Sequence, residues 1–266
     1  MKTLLSPHDN MAYSPTERAM LDRLMESDAV SDDYTLCLLP ISAMIDRTGV
    51  LATQTEMNRI DAGGKKLFVC DHVLAEQMLL DAQSIVATPY ATIGDRFISI
   101  PHLTNDVDVS KKKAERSMLF SFFGSVGSNE VRRGLAILYP NNCINSDLLG
   151  LDEAAYAERY YETLGDSEFS LCPRNERISS ARIFDSMAMG AIPIIIADGY
   201  KPPMHTVIDW PSISITVRSG NVGKLGQSIL QSFSKEKIAS MRKRMGDVYE
   251  EYFSPEHLER SITLAL

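Results

Sequence analysis

Residues 169–210 read FSLCPRNERISSARIFDSMAMGAIPIIIADGYKPPMHTVIDW, and the polar residues of this stretch gather near one end. Arg174, Asn175, Arg177, Ser179, Ser180 and Arg182 follow a short apolar run, 169–172, that closes on Pro173. Guanidinium groups and hydroxyls beside a helix start suit a phosphate, because the first N–H groups of a helix are free and carry positive potential. Asp185 lies about one turn into the helix, where a carboxylate could reach a ribose hydroxyl. The same residues also fit a plainer role, with Ser180 capping the helix and the arginines solvated. A second candidate is the loop that begins Gly124-Ser125, between an apolar run and a helical pattern carrying Arg132. Small residues let backbone N–H groups approach phosphate and guanidinium matches its oxygens, although paired glycines also serve ordinary tight turns. Asp71 and His72 close another apolar run. Asp106-Val107-Asp108 is either an acidic linker or a carboxylate triplet of the kind that holds a hard cation on a diphosphate.

The surrounding patterns place these groups. Ile183, Phe184, Met187 and Ala188 recur at helical spacing, Gly190 stops the helix as a left-handed cap, and 192–196 is continuously apolar. This predicts strand, turn, helix and buried strand, one crossover unit of a parallel sheet. Ligands of such sheets bind at the carboxyl ends of the strands, where the arginines fall. Upstream, the spacing predicts a helix over 14–25 and strands at 34–39, 67–70, 84–88 and 97–100. Between them it predicts partly helical 42–61 and a helix through Leu80. The polar stretch 101–110 reads as a junction. Beyond it come a strand at 118–123, helices at 129–138 and 152–164, and the unit already described. A strand at 213–217 and helices at 221–233, 235–253 and 255–264 complete the chain. Alternating strands and helices predict an α/β protein of two Rossmann-like domains facing a cleft. The expected bounds are 1–105 for the first domain, 106–250 for the second, and 251–266 for a helix packing back on the first.

Composition narrows the partners. At 266 residues and 44% hydrophobic, the chain can build ordinary cores without disulfides. A formal net charge of −8 argues against duplex nucleic acid, and Lys111-Lys112-Lys113 reads as a solvated helix end. The four cysteines are widely spaced with no CxxC pair, which argues against zinc and fits a reducing compartment. Leu4-Leu5 before Ser6-Pro7 is too short for a signal peptide or membrane anchor, so the expectation is a soluble, cytoplasmic protein.

The ordered run LCPR, SSARIFDSMAMGAIPIIIADGY and VIDW resembles the C-terminal motif of the exostosin-type glycosyltransferases. That motif is a Cys-Pro-Arg turn, Ser-x-Arg, Phe-Glu, a Gly-x-Ile-Pro strand and Asp-Trp. Weaker matches, KKLFVCDH, DRFISIPH and FFGS with VRRGL, keep the family's order. Asp185 stands where the family usually has Glu, Ala191 where Cys is common, and Asn175 where Gly follows the arginine.

The resemblance implies the two-domain glycosyltransferase fold (GT-B) and inverting transfer of a sugar from a UDP-sugar to a hydroxyl of a glycan acceptor. By analogy with small anchorless members of a bacterium or a large virus, that sugar is xylose or galactose. It implies a donor site of Gly124, Ser125, Arg132, Arg174, Asn175, Ser179, Ser180, Arg182 and Asp185. Arginines and helix N-termini would stabilise the leaving diphosphate, so no metal or other cofactor is expected. Arg182 would share in this or pair with Asp185. Asp71 would be the base that deprotonates the acceptor, with His72 orienting or hydrogen-bonding it; the plainer role of Asp71 is to cap the following helix. Two rival readings are a catalytically inactive nucleotide-sugar or glycan binder and a metal-dependent transferase using Asp106 and Asp108.

Overall fold

The computed structural model describes residues 12–27, 33–60, 64–91, 96–104, 107–175, 178–226 and 230–266, together with the backbone of 2–5. Asp106 and Arg177 lie outside the described residues. The chain divides into two compact units. One comprises Met1–Leu103, Tyr200–Val207 and Tyr252–Leu266, and the other Thr104–Gly199 and Ile208–Glu251. Tyr200–Val207, expected with the second domain, therefore groups with the first.

In the first unit β1 (Lys2–Leu5), β2 (Tyr34–Leu38), β3 (Lys65–Val69), β4 (Ser84–Thr88) and β5 (Phe97–Ser99) form a parallel sheet in the order 1-2-3-4-5. Strand side chains alternate between faces, and both faces are buried here, which is why β2 reads as an unbroken apolar run. Leu36, Leu38, Leu67 and Val69 join Met20, Leu21 and Leu24 of α1 (Pro15–Glu26), with Leu258 and Ile262 from near the C-terminus. Cys37, Phe68, Cys70 and Val86 join Ile41, Met44 and Ile45 of α2 (Ile41–Thr48) and Met57 of α3 (Val50–Arg59).

The partly helical stretch 42–61 forms two helices, separated at Gly49. One expectation for this unit is corrected. The helix through Leu80 is a single 3-10 turn, Ala75–Gln77. Met78 is already extended (φ −74, ψ 129), and the Leu79 N–H donates to Gln54 Oε1 at 2.8 Å. A tertiary bond outweighs the helical pattern of the leucines here.

The second unit contains β6 (Met118–Gly124), α4 (Glu130–Leu138), β7 (Cys143–Asn145), α5 (Glu153–Gly165), β8 (Ser167–Pro173), α6 (Arg182–Ala188), β9 (Ile192–Ile196), β10 (Ile215–Thr216) and α7 (Lys235–Val248). Its strands are parallel in the order β10-β9-β8-β6-β7. From β6 the chain goes to one side for β7, then returns past β6 to build β8, β9 and β10 on the other. The order thus reverses at β6, and the crevice at the carboxyl ends of β6 and β8 is a topological switch point. Gly190 (φ +71) ends α6 as expected: its N–H donates to the Met187 carbonyl, and that of Ala191 to Ser186.

Beyond Trp210 the regular structure is sparser than its pattern suggests. Of the helix expected at 221–233, residues 227–229 lie outside the described residues, and the flanking parts form 3-10 turns at Ser219–Lys224 and Leu230–Ser232. The long charged helix stops at Val248, before a π-helical turn at Tyr249–Phe253. Of the last helix only α8 (Arg260–Thr263) forms. The lysine run lies at the end of a 3-10 turn, Val109–Lys111, with Lys112 and Lys113 exposed. Lys111 pairs with Glu158 and Glu162 of α5, and Lys113 with Asp166.

Candidate active site

The switch point is built by two loops. β6 ends at Gly124, where an added Cβ would lie 2.8 Å from Arg182 Nη2, so a glycine is needed for the guanidinium to pass. Ser125 Oγ donates to Asp147 Oδ2 at 2.9 Å, and the Ser125 carbonyl accepts from Arg132 Nη1 at 3.3 Å. Asn129 caps α4 by accepting from the Arg132 N–H at 3.1 Å. The other end of the same amide donates to the carbonyls of Arg174 (2.8 Å) and Asn175 (3.3 Å), which fastens the loop after β6 to the loop after β8. The Arg174 N–H is held by the Ile196 carbonyl at 3.0 Å, and the Asn175 N–H by Ser179 at 3.3 Å. Arg174 is half-buried and Asn175 exposed, while Ser179 and Ser180 are buried. Ser180 does not cap α6; Ala181 holds that position with no side-chain bond.

Arg132 and Arg182 are 8% and 7% exposed. The Arg182 guanidinium lies between the rings of Phe122 (4.6 Å) and Tyr160 (4.9 Å), and Arg132 shares the Phe122 ring at 5.6 Å. Arg132 Nε, Arg182 Nε and Arg182 Nη1 are buried with no hydrogen-bond partner. Burial, reinforced by the charge of Arg182, pushes Arg132 down to about 10. Among the described residues neither arginine has a carboxylate within ion-pair distance. The alternative in which Arg182 pairs with Asp185 is not realised: Asp185 Oδ2 accepts instead from Tyr160 Oη at 2.7 Å. Burial pushes the Asp185 carboxyl up to about 6, against the Tyr160 hydrogen bond and the Arg182 charge that draw it down. At the mouth of a parallel sheet, two buried guanidinium groups thus keep N–H groups unsatisfied, although the Asp185 carboxylate lies close enough to feel the Arg182 charge.

In the first unit, Asp71 follows β3. Its Oδ2 accepts from Ser14 Oγ at 3.2 Å, and burial raises the carboxyl above its ordinary range despite bonds to Thr16 and Ser14. It caps no helix, since the turn at Ala75–Gln77 starts from Leu74 without a side-chain bond. His72 is committed at both nitrogens. Nδ1 accepts from the Leu74 N–H at 3.1 Å, which assigns the ring proton to Nε2, 3.1 Å from Asp46 Oδ1. His72 therefore has no free lone pair with which to act as a base. Glu17 is fully buried and accepts from the backbone N–H groups of Ser14, Ser42 and Asp71 and from Ser42 Oγ. Among the described residues no three His, Cys, Asp or Glu side chains are grouped to hold a metal. Asp108 spends its carboxylate on Ser110, capping the turn at Val109–Lys111.

The sequence reading missed Asn129, Tyr160 and Glu17. Asn129 was visible as a helix start, but its bonds to the far loop are purely tertiary. Tyr160, in the YAERYYE stretch of α5, reads as a packing residue. Glu17 falls inside the helix expected over 14–25, where nothing local marks its bonds to Ser42 and Asp71.

Comparison with known proteins bears on the same residues. The Exostosin GT47 domain profile matches residues 52–233, a span that includes Asp71 and every residue of the candidate donor site. Exostosin-2 of Bos taurus is 30% identical over 274 residues, covering 88% of this chain and 37% of that protein. The probable glucuronoxylan glucuronosyltransferase IRX7 of Arabidopsis thaliana is 35% identical over 103 residues, covering 37% of this chain and 23% of that protein. The chain thus spans from 23% to 37% of the length of these relatives. Among solved structures, TarM aligns with a TM-score of 0.44 at 10% identity, covering 93% of this chain and 57% of that one. The pneumococcal O-GlcNAc transferase GtfA, in complex with UDP and GlcNAc, aligns with a TM-score of 0.43 at 11% identity, covering 97% and 61%. Among the described residues no helix is long and apolar enough to cross a membrane.

Proposed function

The chain belongs to the exostosin GT47 family, and from that premise we propose that it transfers a sugar from a UDP-sugar to a hydroxyl of a glycan acceptor, with inversion and without a bound metal. The observation that carries this reading is the pair of buried arginines with orphaned N–H groups at the switch point. A departing UDP gathers negative charge on its diphosphate. Arg132 and Arg182, fixed against Phe122, and Arg174 in the adjoining loop supply positive charge there with no reorganisation at the moment of reaction. Asp185 offers a carboxylate to the ribose beside them. Asp71 takes the acceptor proton, its raised pKa bringing it nearer the range in which a carboxylate is an effective base. His72, held by Leu74 and Asp46, positions the acceptor and does not exchange its proton.

Arg174→Ala should weaken UDP binding about ten- to a hundredfold, the worth of one charge-assisted hydrogen bond, and titration calorimetry would read it. Unchanged affinity would move the pocket elsewhere. Turnover should persist in EDTA, since the arginines hold the role a cation would fill. Loss in chelator with recovery in Mn²⁺ would favour the acidic triplet of Asp106 and Asp108 instead. Donor identity is open to a thermal-shift screen of UDP-xylose, UDP-galactose and UDP-glucuronate, the last prompted by the plant relative's name. The engagement of Asp185 by Tyr160 favours one second reading, a UDP-sugar binder without catalysis. Sustained release of UDP in the presence of an acceptor would exclude it.

A further inference from the structure

Tyr160 belongs to none of the motifs that point to the donor, yet it touches both groups at the centre of the site. Its Oη donates to Asp185 Oδ2 at 2.7 Å, and its ring forms one wall of the Arg182 guanidinium slot. Asp185 follows Arg182 by three residues on α6, a spacing at which carboxylate and guanidinium ordinarily meet. Here they do not: the carboxylate turns to Tyr160, and Arg182 Nε and Nη1 are left buried without partners. We propose that Tyr160 is a positioning residue that holds Asp185 away from Arg182, so that the guanidinium stays open to the diphosphate of the donor. This rests on the UDP-sugar reading above.

The chemistry is a competition for one cation. A carboxylate paired with Arg182 would cancel its charge and occupy the N–H groups a phosphate oxygen needs. It would also weaken the field at Arg132, which shares the Phe122 ring. The tyrosine suits the task because burial holds its hydroxyl well above its ordinary pKa, so it remains a donor at neutral pH. The groups around Asp185 are Tyr160 from α5, Arg182 from its own helix and Cys172 from β8. The thiol is itself pushed up to about 11 by burial and stays neutral. Among the described residues, it is therefore the tyrosine hydroxyl that is placed to draw the carboxylate off the arginine.

The test uses inorganic pyrophosphate as the probe, measured by calorimetry on the whole chain. Tyr160→Phe keeps the ring against Arg182 and removes only Oη; it should raise the pyrophosphate Kd about tenfold. Adding Asp185→Asn to that variant removes the competing charge, and should return the Kd to within about threefold of Asp185→Asn alone. A Tyr160→Phe variant of unchanged affinity would overturn the proposal, as would a loss that Asp185→Asn fails to rescue, since that would mark a packing role. The double variant leaves no buried carboxylate unpartnered, so it keeps the comparison available if the single one folds poorly. Arg182→Ala separates the two levels of inference. If it leaves pyrophosphate affinity unchanged, the donor site itself is misplaced; if it weakens it and Tyr160→Phe does not, only the role of Tyr160 falls.

Discussion

Asp71→Asn should lower turnover roughly 10²–10⁴-fold while UDP affinity stays at the wild-type level. The carboxylate follows β3, anchored by Ser14 Oγ at 3.2 Å and, through its own N–H, by Glu17 Oε1 at 3.3 Å. Asparagine keeps the size and still accepts from Ser14, so the fold should hold; what it loses is the capacity to take a proton. The proposed donor contacts all lie in the second unit, which leaves UDP binding untouched. Because burial holds the Asp71 carboxyl above its ordinary range, wild-type turnover should decline as pH falls through that raised pKa, and protonation disables the base. The measurements are kcat with a UDP-sugar and calorimetry with UDP. Retention of more than about a tenth of wild-type turnover would place the base elsewhere. His72→Ala is the natural comparison and should cost less, since its Nδ1 lone pair already serves the Leu74 N–H.

Glu17→Ala should destabilise the protein by about 3–5 kcal/mol, read as a shift in the urea midpoint. The side chain is fully buried. Oε1 accepts from Ser42 Oγ (2.6 Å), the Ser42 N–H (2.9 Å) and the Asp71 N–H (3.3 Å), and Oε2 from the Ser14 N–H (3.1 Å). α2 begins at Pro40 with no side-chain cap of its own, so this carboxylate, reaching across from α1, satisfies its first turn. Truncation orphans three backbone donors together. Glu17→Gln should cost less, because one acceptor remains. It should also change the pH dependence. Burial outweighs the four hydrogen bonds and raises the Glu17 pKa above the ordinary 4.5. A folded pKa above the unfolded one gives stability that is fully present below 4.5 and lost as pH rises through the folded value. Glu17→Gln should flatten that loss. An unaltered slope would mean that Glu17 does not titrate as its burial implies.

How much of this could be read from the residues varies with the kind of interaction. Strands buried on both faces were legible, because Tyr34–Leu38 and Ile192–Ile196 alternate between two buried layers and are apolar but for Thr35. The helix expected over 14–25 forms as α1, with Ser14 and Glu17 closing a capping box at its start. β7 was not: it has three residues, Cys143–Asn145, and is held by its pairing with β6. The helix expected after Asp71 failed because Gln54, distant in sequence, takes the Leu79 N–H. At the site, local motif and charge pointed to Arg132, Arg174, Arg182 and Asp185. Their electrostatic state was out of reach, because it depends on Phe122 and Tyr160, aromatic residues whose spacing is that of core packing. Asp185, which stands where the family usually has Glu, is in the folded chain a carboxylate tied to a tyrosine.

Leu258 and Ile262 complete the core of a unit that opens at the other end of the chain, with α8 seated in the same cluster region. During synthesis, the first unit to emerge from the ribosome is therefore the last whose core can close. Until Leu258 and Ile262 have left the exit tunnel, the apolar face formed by Leu36, Leu38, Leu67 and Val69 lacks two of its covering side chains. A chain cut short before Leu258 would keep every proposed donor residue, yet expose that hydrophobic surface, a substrate for chaperones and proteases.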